Sequence, residues 1–125
     1  EVKIMDNLFK ALGDENRLRI INLLRKEELC VCEIEVILDT TQSNVSRHLT
    51  RLRNEEIVTF EKKAQWTYYQ INPEFIKKNK LLYEFLIEKM DQNSKFIKEL
   101  EKLLKYKESG MSCDNIKDIN NIIFM

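Results

Sequence analysis

Two cysteines separated by one residue, Cys30 and Cys32, are the strongest chemical signal in the chain. Thiolates are soft ligands that select soft metal ions, and two thiols this close in sequence can share one small ion. In a regular helix, residues two apart point about 200° away from each other. Both sulfurs can therefore face one ion only if the helix that carries them begins irregularly or unwinds. Cys113 completes a three-sulfur site if the C-terminal tail folds back or crosses to a partner chain.

Other interpretations of the cysteines stay open. Cys32 could be a small buried residue, and Cys113 a spare thiol in a tail. A redox switch is a further interpretation, in which the pair oxidises or Cys113 joins one of the two, although a disulfide between residues two apart is strained. Zinc prefers four nitrogen or sulfur ligands, and the only histidine is His48, so we do not expect a zinc site.

A second chemical signal is the basic stretch at residues 41–53 (TQSNVSRHLTRLR), which contains no acidic residue. Helical spacing gives it one apolar stripe and a separate face of hydroxyl and guanidinium groups, with Thr41 at the N-cap position. Such a helix fits the DNA major groove, where arginine reads guanine. The candidate DNA-contacting residues are Gln42, Ser43, Ser46, Arg47, His48 and Arg51. For His48 the expected role is a phosphate contact or packing, because no catalytic arrangement surrounds it.

The elements before the basic helix are predicted from apolar residues at helical spacing. They are helices over residues 4–12, 15–27 and about 32–38. Gly13 is expected to end the first helix, and Asp14 to cap the second. A helix, a short turn and a basic second helix form the helix-turn-helix arrangement.

Residues 57–71 change character, because alternation and β-branched or aromatic residues predict two strands. The turn between them is placed at residues 62–65. A hairpin after a recognition helix is a wing, and Lys62 and Lys63 are expected to contact DNA phosphates.

A long apolar helical pattern over residues 74–107 follows Pro73, and only Asn93 interrupts it. The stripe comprises Leu82, Leu86, Met90, Ile97, Leu100 and Leu104. We expect most of it to form a dimer interface with a second chain, although the helix could instead fold back on its own domain. Residues 111–125 are expected to be partly ordered at best. The predicted organisation is one domain over residues 1–108 and a tail over residues 109–125.

The motifs ALGDENRLRIINLL, ELCVCEI, TQSNVSRHLTRLR and QWTYYQI together resemble the ArsR/SmtB family of winged-helix repressors, from about Leu8 to the end of the long helix. The resemblance implies a mainly α fold with a small β-hairpin, and a homodimer on inverted-repeat operator DNA that is released by a metal ion or metalloid. ELCVC is similar to the inducer segment of arsenic- and cadmium-sensing members. Arsenite or antimonite is therefore the expected inducer, held by Cys30 and Cys32, with Cys113 as the candidate third ligand. Two departures from the family pattern are Glu56 and Ala64, where glycine is usual.

The remaining alternatives share the fold but not the trigger. Cadmium- and lead-sensing members typically carry further N-terminal cysteines, which this sequence does not contain. A cadmium- or lead-responsive repressor stays as an alternative. A repressor that responds to thiol oxidation is another. A protein-interaction module that keeps the winged helix is an alternative of another class. No acid–base pair or phosphate-binding glycine loop indicates an enzyme.

The 125 residues have zero formal net charge and no long apolar run. We therefore expect local rather than global attraction to DNA, no membrane contact, and a cytoplasmic protein.

Overall fold

The computed structural model describes residues 2–116. Over these residues the helices are α1 (Val2–Leu12), α2 (Glu15–Leu24), α3 (Val31–Leu38), α4 (Gln42–Asn54), α5 (Pro73–Lys78), α6 (Lys80–Asp91) and α7 (Ser94–Glu108). The strands are β1 (Leu29–Cys30), β2 (Val58–Lys63) and β3 (Trp66–Ile71), in one antiparallel sheet of order β1-β3-β2. The predicted mainly helical fold with a small hairpin is confirmed.

Side-chain caps predicted from the sequence begin α2 and α4, and α4 is the second helix of the helix-turn-helix formed by α3 and α4. The carboxylate of Asp14 accepts the Arg17 backbone N–H at 3.1 Å and starts α2. Thr41 does the same for α4, where its hydroxyl oxygen accepts the Asn44 N–H at 3.2 Å. Both caps are where the sequence predicts them. The apolar faces of α2, α3 and α4 meet in one core, which includes Ile20, Leu23, Ile34, Ile37, Leu49 and Leu52.

The wing differs from its prediction in its turn. The paired strands continue to Lys63 and Trp66, so only Ala64 and Gln65 form the turn, and the two lysines lie at the end of β2. Strand β1 is an element that we did not predict. It adds Leu29 and Cys30 to the free edge of β3, and places Cys30 opposite Tyr68.

Glu56 and Ala64, the two departures from glycine, both adopt the left-handed backbone conformation, with φ of 59° and 56°. A side chain in this region meets steric crowding that glycine avoids, at a cost of about 1 kcal/mol per residue. The strain of a non-glycine residue at these two positions is therefore tolerated.

The long helix predicted over residues 74–107 is wrong, because the structure divides it into α5, α6 and α7. Asn79 ends α5, and Asn93 begins α7 by accepting the backbone N–H groups of Lys95 and Phe96. Asparagine favours such caps because its side chain replaces a missing backbone partner. The helices can then turn back on the domain, and α7 packs against α2 and α3.

The residues of the predicted apolar stripe are partly buried against their own domain and partly exposed to solvent. Met90 is buried within the chain, and Leu82, Leu86 and Leu100 are half-buried, whereas Ile97 and Leu104 are exposed. The stripe is thus only partly available to a second chain.

The tail is more ordered than expected as far as it is described. Cys113 and Ile116 are both buried, while the rest of the tail prediction, over residues 117–125, lies outside the described residues. Among the described helices, none combines the length and the apolarity that crossing a membrane requires.

Candidate metal centre and nucleic-acid interface

The two neighbouring cysteines meet because Cys30 lies just before α3 and only Cys32 lies within the helix. Cys30 has an extended backbone, with φ of −89° and ψ of 170°, since it belongs to β1 and is also the N-cap of α3. Cys32 lies in the first turn of that helix. The two Sγ atoms are 3.0 Å apart, which a regular helix would not allow. The sulfurs therefore face each other because Cys30 is the extended N-cap, which is the usual conformation at that position, and the irregular helix start that the sequence predicted is not needed.

Cys113 reaches the same place from the other end of the chain. It is joined to Cys30 by a disulfide, and its carbonyl oxygen lies 3.7 Å from the Cys32 sulfur. All three Sγ atoms lie within 4.8 Å of one another. The tail thus folds back within its own chain, and the three sulfurs form one cluster.

The buried carboxylate of Glu33 connects the sulfur cluster to α7. Glu33 Oε1 accepts the backbone N–H of Cys30 at 2.9 Å, and Glu33 Oε2 accepts the hydroxyl of Tyr106 on α7. Burial, followed by the hydrogen bond to Glu33, raises the pKa of Tyr106, so the tyrosine stays a neutral donor. The carboxylate therefore links the start of α3 to α7, which leads into the tail.

A cavity of about 390 Å³ opens beside the sulfurs. Its wall includes the three cysteines, Trp66 of the wing and Gln42, the first residue of α4. A ligand on the sulfurs would consequently lie between the wing and the basic helix.

The basic helix presents most of its predicted DNA-contacting residues to solvent. Gln42, Ser43 and Arg47 are exposed, and Ser46 and Arg51 are half-buried. The Arg47 guanidinium donates to Asn44 Oδ1 at 3.1 Å, a contact that orients it along the helix. On the wing, Lys62 and Lys63 are exposed, and Lys63 forms an ion pair with Glu28. The exposed members of this set lie on α4 and at the end of β2, and their contacts with DNA stay a prediction.

His48 departs from the expected DNA contact. Its side chain is only 4% exposed, and its Nδ1 lies 3.3 Å from the Arg17 guanidinium, which donates to it. The packing role considered for this residue fits its position, because a buried ring cannot reach a phosphate or a base edge.

We expect His48 to make the protein less stable in mild acid. Burial lowers the pKa of His48 from its ordinary 6.5, Asp14 opposes this shift, and Arg47 and Arg17 add to it. The unfolded chain therefore binds a proton more readily, so stability is complete above about pH 6.5 and falls as the pH drops below it. The free energy of unfolding, measured by urea denaturation from pH 7.5 to 5, should decrease more in the wild type than in His48→Gln. Equal slopes would contradict this role.

Three residues around the site were not foreseen from the sequence. Glu33 had a usable signal, because it stands three residues after the N-cap, in the capping-box position. Tyr106 and Asp114 had none, since their contacts with Glu33 and with the wing span 73 and 48 residues.

Comparisons with known proteins agree with this geometry. The family model of bacterial regulatory proteins of the arsR family matches residues 14–59. The arsenical resistance operon repressor of Bacillus subtilis is 42% identical over 79 residues, which are 62% of this chain and 73% of that protein. The cadmium resistance regulatory protein CadC of Listeria innocua is 39% identical over 79 residues, 62% of each chain. Reduced HlyU from Vibrio cholerae is similar in structure, with a TM-score of 0.57 and 33% identity, covering 67% of this chain and 90% of that one.

The match to other curated relatives is less complete. The chain spans 53%, 60% and 57% of the length of three further arsenic-resistance regulators. The family model ends at Thr59, so Cys113 and the helix that carries the tail lie beyond it.

Proposed function

The chain belongs to the arsR family of bacterial regulatory proteins, and from this premise we propose that it is a dimeric, cytoplasmic transcriptional repressor that releases operator DNA when arsenite or antimonite binds its thiols. The observation that carries the proposal is the cluster of three sulfurs within 4.8 Å of one another. Cys30, Cys32 and Cys113 are the proposed ligands.

The donor set fits a trivalent soft centre. Such a centre takes three thiolates, and soft sulfur ligands select it over hard cations. The three reduced thiols each replace one hydroxyl group of arsenous acid, and three water molecules leave. The Cys30–Cys113 disulfide must first take up two electrons and two protons, which a small cellular thiol supplies by exchange. Cadmium remains the alternative inducer, since a cadmium-resistance regulator is among the similar proteins.

DNA binding is assigned to α4 and the wing. Gln42, Ser43, Ser46, Arg47 and Arg51 are the proposed groove contacts, and Lys62 and Lys63 the proposed phosphate contacts. Because the whole chain carries no net charge, two such surfaces presented together would strengthen an otherwise local attraction.

The proposed dimer uses apolar residues that the chain leaves exposed. On α1 and α6 these are Val2, Ile4, Met5, Phe9, Leu81 and Phe85. These are the side chains that the proposed association of two chains would cover. The division into a domain over residues 1–108 and a tail over residues 109–125 stays a prediction.

The test is a gel shift on an inverted-repeat operator with reduced protein and increasing arsenite. Release at low arsenite concentration, with a particle of twice the chain mass in light scattering, supports the proposal. Binding to the operator that arsenite, antimonite and cadmium all leave unchanged would overturn it.

A thiol-oxidation sensor is the second candidate, favoured by the disulfide between Cys30 and Cys113. Its bond needs only these two sulfurs, and not Cys32. Peroxide would then release DNA from Cys32→Ser as well as from the wild type, whereas arsenite would release neither.

A further inference from the structure

The segment after α7 holds the tip of the wing. Asp114 Oδ1 accepts the indole N–H of Trp66 at 3.0 Å and the side-chain amide of Gln65 at 3.3 Å. Gln65 is in the turn, and Trp66 is the first residue of β3. One carboxylate therefore fixes both residues on the β3 side of the wing tip.

The same segment supplies Cys113, the residue directly before Asp114. Besides its bond to Cys30, the Cys113 sulfur lies 3.7 Å from the hydroxyl of Tyr68 on β3. Cys30 itself pairs with Tyr68 across the sheet. When Cys113 is held at the sulfur cluster, Asp114 is consequently delivered to the wing.

The Asp114 carboxylate makes the charge at the wing tip less favourable for DNA. Lys63 forms an ion pair with Glu28, whose hydrogen bond raises the pKa of the lysine. Asp114 adds a carboxylate on the other strand of the tip. A phosphate backbone approaching this end of the hairpin meets one cation already paired and one additional negative charge.

We propose that Asp114 is a positioning residue that transmits closure of the sulfur site to the wing. With Cys113 held, Asp114 fixes the Gln65–Trp66 tip and adds negative charge to it, which weakens the phosphate contacts of the hairpin. With Cys113 released, the Gln65–Trp66 tip loses the Asp114 carboxylate and is free to follow the DNA backbone. The inference rests on the proposed function for its trigger, and it assigns the transmission to the wing in addition to α3 and α4.

The first measurement uses Trp66, the only tryptophan of the chain, and needs no DNA. The full chain is closed in two ways, with arsenite or with diamide, which takes two electrons and two protons from Cys30 and Cys113. In the wild type, either closure should change the emission of Trp66 and reduce its quenching by acrylamide. Asp114→Ala should lose this change, whereas Glu108→Ala, which removes an exposed carboxylate at the end of α7, should keep it. A Trp66 signal that is equally altered by closure in Asp114→Ala overturns the proposal.

The second measurement separates the hydrogen bond between Asp114 and Trp66 from the negative charge of Asp114. Asp114→Asn keeps an oxygen acceptor for Trp66 but removes the negative charge. We expect all variants to bind arsenite with wild-type stoichiometry, while the effect of arsenite on operator affinity falls at least about 5-fold in Asp114→Ala and by a smaller factor in Asp114→Asn. Undiminished release in Asp114→Ala overturns the proposal. If the wild type does not bind arsenite, the proposed function fails, yet closure by diamide still tests Asp114.

Discussion

Replacing Cys32 with serine should raise the arsenite concentration for half-release of operator DNA by at least about 100-fold, equivalent to about 2.7 kcal/mol of binding free energy. The Cys32 sulfur is 3.0 Å from that of Cys30 and belongs to the cluster that Cys113 completes. Serine keeps the size of the side chain but offers a hard oxygen to a soft centre. Fluorescence anisotropy of labelled operator under arsenite titration measures the shift. Cys30→Ser and Cys113→Ser should show shifts of similar size.

A matched control is Val31→Ala, which changes the residue between the two cysteines and keeps all three thiols. Its release curve should stay within a few-fold of the wild type. Cys32→Ser also separates release by arsenite from release by oxidation, because the disulfide joins Cys30 and Cys113 and does not involve Cys32. Release by arsenite that survives in Cys32→Ser would remove this residue from the ligand set.

The parts of the fold that follow from short stretches of sequence were predictable. Asp14 and Thr41 cap helices through contacts three residues away, and the apolar spacing of α2 and α4 reflects one buried face each. The wing followed from alternation, although the turn was predicted to begin two residues too early, because Lys62 and Lys63 are polar in an exposed strand. For the site, the proximity of the Cys30 and Cys32 sulfurs could be foreseen, whereas the irregular helix start expected to allow it is replaced by an extended N-cap residue.

What could not be predicted depends on contacts distant in sequence. Strand β1 exists only because the edge of β3 lies beside it, and two residues carry no periodic signal. The break between α5 and α6 at Asn79 left the apolar pattern intact, so spacing alone could not reveal it. The buried His48 contacts Arg17, which is 31 residues away. Likewise, whether Cys113 meets the cysteine pair depends on how α7 docks, which the tail sequence does not specify.

Removing one hydroxyl group in Tyr106→Phe should lower the free energy of unfolding by about 1–3 kcal/mol, because a buried Glu33 oxygen loses its donor. Tyr106 is fully buried, with 0% exposure, so water cannot replace the hydroxyl without opening the core. Urea denaturation followed by circular dichroism measures the loss. Tyr83→Phe is the matched control, since that half-buried tyrosine on α6 packs edge-on against Phe75, outside the Glu33 contact. A cost no greater than that of Tyr83→Phe would contradict the prediction.

Tyr106→Phe should also weaken the binding of the inducer, because the contact that stabilises α7 also supports the sulfur site. Glu33 holds the backbone of Cys30 with one oxygen and α7 with the other. Loss of the second contact loosens the helix that delivers Cys113, and so lowers the effective concentration of the third thiol at the site. Arsenite affinity in Tyr106→Phe should therefore fall between that of the wild type and that of Cys113→Ser. If Tyr106→Phe is destabilised but binds arsenite as the wild type does, α7 does not control the position of Cys113, and the tail must be held by its contacts with the wing alone.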